Sequence, residues 1–282
     1  MSDFLGVNQE SRAPYTGPVV AQVLGVNLNE DQLKQLNASE NFAKAFGNPL
    51  ETPLTNEVTL PDGTTTTVEL QSLTVFFQPN REEVNQIFPA TLYLGNAVRY
   101  SQSGNAQYIT KQGVTSYPKR DTGKVPDFIL NMDPTPREAR IGEGEYYDFL
   151  EKALGFDSVK AKEQNVYIVP WAEQNGFGFT QVVEGNVTKL NEMLNKFSKG
   201  MVITIGVNPD TSQMKVILRP EATYKNYNEV PAGFVSKLQK KITDPDYPLS
   251  KTLDVTSTFQ KYTGEDQNTS PQTGGITDDI GW

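Results

Sequence analysis

Val19-Val20-Ala21-Gln22-Val23-Leu24-Gly25-Val26 is apolar at almost every position, the pattern of a strand covered on both faces. Asn29 then stands where a short helix would be capped, with Leu33 and Leu36 on one face. Phe42 and Phe46, four apart, predict a further helical stretch over 41–46 that Gly47 stops. The clearest β signal follows. Val58-Thr59-Leu60 and Thr64 to Leu70 flank Pro61-Asp62-Gly63, where Pro presets φ and Gly accepts a positive φ, so a hairpin is expected. Ser72 to Phe77 reads as another strand or as the second half of a bent one, and Asn80-Arg81-Glu82-Glu83 as a capped single turn. Ala90 to Leu94 and Val98 to Ser101 are strands, and Ser103-Gly104-Asn105 turns the chain into Gln107 to Thr110.

Lys111 to Ile141 has a different character. Pro118, Pro126, Pro134 and Pro136 alternate with Lys119, Arg120, Lys124, Arg137 and Arg140, which predicts a long basic loop. Tyr147, Leu150 and Leu154 recur at helical spacing in 143–155, and Val187, Leu190, Met193, Leu194 and Phe197 do so in 187–197. Met201 to Val207 and Met214 to Leu218 flank Asn208-Pro209-Asp210, a third hairpin, and 233–242 is a last short helix with Lys237, Lys240 and Lys241. Hairpins with several short helices, and no βαβ alternation, argue against a parallel sheet. The expected fold is a β-rich α+β chain. Its form is an OB-fold-like antiparallel Greek-key barrel with long loop insertions and several short helices. The organisation read from the chain is a flexible leader over 1–14, a core over 15–262 that includes the basic loop 111–141, and an acidic tail over 263–282.

The tail is short of core-forming residues. Gly264 to Trp282 has no Lys or Arg, carries Glu265, Asp266, Asp278 and Asp279, and is rich in Gly, Thr and Gln, so disorder is expected there. The whole chain of 282 residues has 25 Lys+Arg against 34 Asp+Glu, a net of −9. Setting aside the tail's four acids leaves −5 on the body, so where the cations gather matters more than their sum.

Cysteine and histidine are both absent. That excludes disulfides, thiolate chemistry, Cys/His zinc sites and every His-dependent triad. Glu143 and Glu145 beside Tyr146 and Tyr147 are charges suited to a helix N-terminus. Gly142-Glu143-Gly144 and Gly176-Phe177-Gly178 match neither a phosphate loop nor a dinucleotide motif. No compact acidic metal motif is visible, so neither a cofactor nor a metal is expected and the chain is not read as an enzyme. The first residues lack a basic stretch followed by an apolar one, and no run approaches the ~20 apolar residues that span a bilayer, so neither a signal peptide nor a membrane partner is expected.

The remaining chemistry is aromatic plus basic. Arg99 with Tyr100, Tyr108 with Lys111, and Tyr117 with Lys119 and Arg120 lie close together in sequence, followed by Lys124, Arg137 and Arg140. Trp171, then Tyr224 with Lys225, come later. Single-stranded nucleic acid requires this mixture: flat rings stack on unpaired bases and cations follow the phosphates. Any single ring has a competing role in the core, and Phe76 and Tyr93 are read that way. The chain ends Thr277-Asp278-Asp279-Ile280-Gly281-Trp282. An acidic segment tipped by Ile280 and Trp282 suits docking to a partner protein, or competition with nucleic acid for a basic groove.

That tip resembles the acidic tip of bacterial single-stranded DNA-binding proteins, Asp-Asp-Ile-Pro-Phe: Asp278, Asp279 and Ile280 match, while Gly281 replaces Pro and Trp282 replaces Phe. In patches over less than half its length, the chain also resembles the single-stranded DNA-binding proteins of tailed bacteriophages. The patches are Tyr15-Thr16-Gly17 with Val23 to Asn27, the short helix with Leu33 and Leu36, Gly185 to Leu190, the 201–218 hairpin, Tyr224 to Lys241, and the tail. The resemblance implies an OB-fold, protection of single strands in replication or recombination, no catalysis, replication or recombination proteins as partners of the tail, and the cytoplasm of an infected bacterial host. The alternative reading is a phage virion structural or assembly protein, where β-rich chains with Thr/Asn/Gln-rich surfaces are also at home.

Overall fold

A computed structural model of the chain describes residues 15–47, 54–59, 65–81, 84, 86–100, 105–110, 113–117, 137–156, 167–178, 184–208, 210–211, 213–242 and 255. The leader 1–14, the segment 118–136 and the tail 263–282 lie outside them.

The strands are β1 (Gly17–Val26), β2 (Leu54–Thr59), β3 (Thr65–Pro79), β4 (Phe88–Tyr100), β5 (Asn105–Thr110), β6 (Gly113–Tyr117), β7 (Arg137–Ile141), β8 (Met201–Val207) and β9 (Met214–Ile217). They form one sheet in the order β6-β5-β4-β3-β1-β8-β9, with β2 on β3 and β7 on β4, and each of these pairings is antiparallel. The two ends of the run β4-β3-β1-β8-β9 approach each other, because β9 comes back beside β4. The fold is therefore β-rich α+β: a nearly closed five-strand barrel sheet with helices packed on it.

The long strands explain how the barrel and the outer strands are joined. β3 is a single strand of 15 residues, not two. Its middle pairs with β4 from Leu70↔Gly95 to Phe77↔Phe88, its start with β2, and its end with β1. Side chains alternate between the two faces: Leu73, Val75 and Phe77 with Ala90, Leu92 and Leu94 fill the interior, while Phe76 on the other face is covered by the helices Glu30–Gln35 and Glu40–Phe46. β1 bulges between Val23 and Gly25. Gly25 has φ +150°, and a Cβ there would lie 2.8 Å from Leu28 Cδ2 and 2.9 Å from Asn191 Oδ1, so this bend requires glycine.

The helices are α1 (Glu30–Gln35), α2 (Glu40–Phe46), α3 (Glu143–Ala153), α4 (Ile168–Gln174), α5 (Glu184–Phe197) and α6 (Phe234–Ile242). α5 closes the barrel with Leu190, Leu194 and Phe197, and Asn191 fixes it to β1: Val26 N donates to Asn191 Oδ1 at 2.7 Å and Asn191 Nδ2 to Val26 O at 2.9 Å. α3 buries Tyr146, Phe149 and Leu150, with Phe149 edge-on to Phe77 at 6.4 Å. Pro170 sits in the first turn of α4, where its missing N–H is not needed. Asn29 begins α1 with a complete capping box with Gln32, as its sequence predicts. Leu33 turns inward, whereas Leu36 lies at the C-cap and is exposed.

One expectation changes. The interval 111–141, read as a basic loop, contains β6 and β7. β6 pairs with the neighbouring β5, while β7, with Arg137, Glu138 and Arg140 among its five residues, pairs with the distant β4.

Candidate nucleic-acid interface

Side chains alternate across a strand, and directly opposed residues share a face, so the register sorts the predicted site. Leu73, Val75, Leu92 and Leu94 define the inner face of β3 and β4. Ser72, Thr74, Phe76 and Thr91 therefore belong to the outer face, where the Thr74 and Thr91 hydroxyls meet at 3.2 Å. The pairing of β3 with β4 and of β4 with β7 runs without a register shift. The outer-face parity thus continues along β4 through Gly95 and Ala97 to Arg99, and across to Arg137 on β7. Through Arg99↔Ala106, then Tyr108↔Thr115 and Ala106↔Tyr117, the same parity takes in Tyr108 of β5 and Tyr117 of β6. Thr91 to Arg99 spans roughly 26 Å of strand.

Two arginines and two tyrosines thus share one sheet face, with Arg99 opposite Arg137 in the register. Like charges placed directly opposite destabilise a sheet. Tyr100 and Arg140 fall on the other face by the same parity. Lys111, Lys119, Arg120 and Lys124 lie outside the described residues, as do Asp278, Asp279, Ile280 and Trp282 of the tail.

The later candidates sit elsewhere. Trp171 is a core residue, 1% exposed, between Phe156 and Phe177 at ring separations of 6.0 and 5.8 Å. It offers no face on which a base could stack, because the apolar side of α4 turns it inward against the barrel's contents. Tyr224 is half-buried, edge-on to Phe234 at 5.3 Å, and its hydroxyl donates to Glu221 O at 3.1 Å. Burial, and then the charge of Glu221, pushes that hydroxyl up to about 12. Lys225 Nζ lies 3.7 Å from Glu151 Oε1. Neighbouring cations are also matched with acids: Arg219 with Glu145 at 2.7 Å, and Lys152 with Asp148 at 2.7 Å. Lys152 further donates to Pro220 O and Thr223 Oγ1, so this network clips 219–225 onto α3.

Sequence reasoning passed over two surfaces. One is the Thr74–Thr91 hydroxyl pair, which two different strands bring together from 17 residues apart in sequence. The other is Phe46, 42% exposed, whose spacing from Phe42 reads as a buried helix stripe. Phe76, by contrast, is fully buried as expected.

Among the described residues no helix is long and apolar enough to cross a membrane, and no three acidic side chains are grouped to hold a metal ion. No protein-family model matches the chain, and neither a curated protein nor a solved structure matches it.

Proposed function

We propose that this chain is a single-stranded DNA-binding protein with an OB-fold, which coats and protects unpaired DNA during phage replication or recombination. The strand order supports the fold. Numbering the barrel strands one to five as β1, β3, β4, β8 and β9, the order is three-two-one-four-five, with five returning beside three. That order matches the Greek-key path expected of an OB-fold, in which the face of strands two and three meets the oligonucleotide. Here those strands are β3 and β4, and the extension of their outer face holds the opposed arginines.

The Arg99↔Arg137 register beside Tyr108 and Tyr117 is the observation that carries the reading. Phosphates neutralise the facing cations and bases stack on the rings, with no group required to transfer a proton or an electron. The acidic tail, with Asp278, Asp279, Ile280 and Trp282, docks replication or recombination proteins or competes for the same face.

The test is anisotropy of fluorescently labelled oligo-dT titrated with the full chain across a salt series. Binding whose log–log slope is about −0.7 per phosphate contacted supports the proposal. No binding at low salt, with the tail present or removed, refutes it. Self-assembly without nucleic acid, in the same preparation, would turn the reading to a virion assembly protein.

A further inference from the structure

α1 and α2 lie between β1 and β2 and are held as a helical hairpin: Gly47, following α2, packs so tightly on α1 that a Cβ there would be 2.6 Å from Glu30 Cα. This hairpin buries Leu33 and Ala43 with Phe76, and Phe42 stands edge-on to Phe76 at 6.4 Å. Phe76 belongs to the outer face of β3, one outer-face step beyond Thr74. The hairpin is therefore seated at one end of the proposed DNA track, and Arg99 with Arg137 lies toward the other.

Phe46 is the last residue of α2, and its ring rests on Phe42 at 4.7 Å. It remains 42% exposed, while the Phe42 ring it touches packs on the buried cluster of Leu33 and Phe76. A ring supported from behind by another ring, open on its outward side and joined to the outer face through Phe42 and Phe76, has the geometry a stacked base needs. We infer that Phe46 is a base-stacking platform for an unpaired nucleotide at the α2 end of the β3–β4 outer face. The inference rests on the DNA-binding reading and adds to it a residue outside the arginine–tyrosine group. Stacking is blind to base identity because every base has a flat face, so this position adds affinity and little sequence preference.

The experiment compares Phe46→Leu and Phe46→Tyr with the unaltered full chain in the oligo-dT salt series, with urea midpoints measured in parallel. Leu retains apolar volume but not the flat ring, and Tyr retains the ring. Expected is a loss of about 5- to 100-fold in affinity for Phe46→Leu, at an unchanged salt slope. Phe46→Tyr should bind within about twofold of the unaltered chain, since its ring still stacks. Wild-type affinity in Phe46→Leu, alongside salt-dependent binding of the unaltered chain, overturns this inference alone. Equal losses in both variants, or a slope that falls with the affinity, would also overturn it, because the hairpin would then be acting through its position. Absence of binding at low salt both by the unaltered chain and by the chain without residues 263–282 removes the DNA-binding reading and this one with it.

Discussion

Two parts of this molecule combine rings with cations, and they treat the charge differently. Beside α3, each cation meets an acid: Lys152 with Asp148, Arg219 with Glu145, Lys225 with Glu151. The rings there are packed, Trp171 in the core and Tyr224 against Phe234. On the outer strands, the residue opposite Arg99 across β7 is Arg137, and across β5 it is Ala106. The first arrangement is complete as it stands and builds the fold. The second sets two like charges opposite each other in the register. Aromatic and basic composition is thus not a site by itself: beside α3 it is used in ion pairs and packing, whereas on the outer strands the register sets two arginines opposite each other.

The comparison is sharpened by substitutions that should behave oppositely in the two parts. Trp171→Ala should cost ~3–5 kcal/mol in urea unfolding, the range for truncating a buried large aromatic. The fraction that stays folded should bind oligo-dT with unchanged affinity. A specific loss of affinity without loss of stability would put Trp171 back among DNA contacts. Arg137→Thr should move the two observables apart. Stability of the free protein rises by ~0.2–1 kcal/mol as the like-charge pair is removed. Affinity for oligo-dT falls about three- to tenfold at moderate salt. A fall in both would mean that Arg137 is a structural partner in its own sheet. Removing residues 263–282 takes away four acids and no cation within 264–282, so binding should tighten by a few fold at low salt, less at high salt. Unchanged affinity would remove the tail from competition for the groove. Lys225→Ala should have the smallest effect: less than ~1 kcal/mol on stability, as for a partly exposed ion pair, and none on the salt slope.

Much of the framework was legible because its signals are local. Asn29 caps α1 through its own side chain, and the β-branched run from Thr65 pairs with β2, its neighbour in sequence. Met201 to Val207 and the strand from Met214 form their hairpin around Asn208, whose Oδ1 accepts from Asp210 N at 2.9 Å. The features that fold less visibly depend on distant partners. β7 pairs with β4 across the whole interval that looks like a basic loop, so neither Arg137 nor its strand is recognisable from neighbours in sequence. The same is true of Trp171, whose burial is decided by Phe156 and Phe177 and not by the Val169-Pro170 that precede it. Phe46 is a further case: its spacing from Phe42 marks the helix, but whether the ring is covered depends on the neighbours α2 meets, and it is left 42% exposed.

The central claim is that Arg99 and Arg137 are opposed in order to hold phosphate. Its most direct measurement is the salt dependence of oligo-dT binding by the Arg99→Ala/Arg137→Ala double variant, set beside Lys225→Ala and the unaltered chain. Losing two phosphate contacts should reduce the magnitude of the log–log slope by about 1.4, with Lys225→Ala superimposing on the unaltered chain. A double variant whose slope matches the unaltered protein, while its urea midpoint shows it folded, would contradict the account.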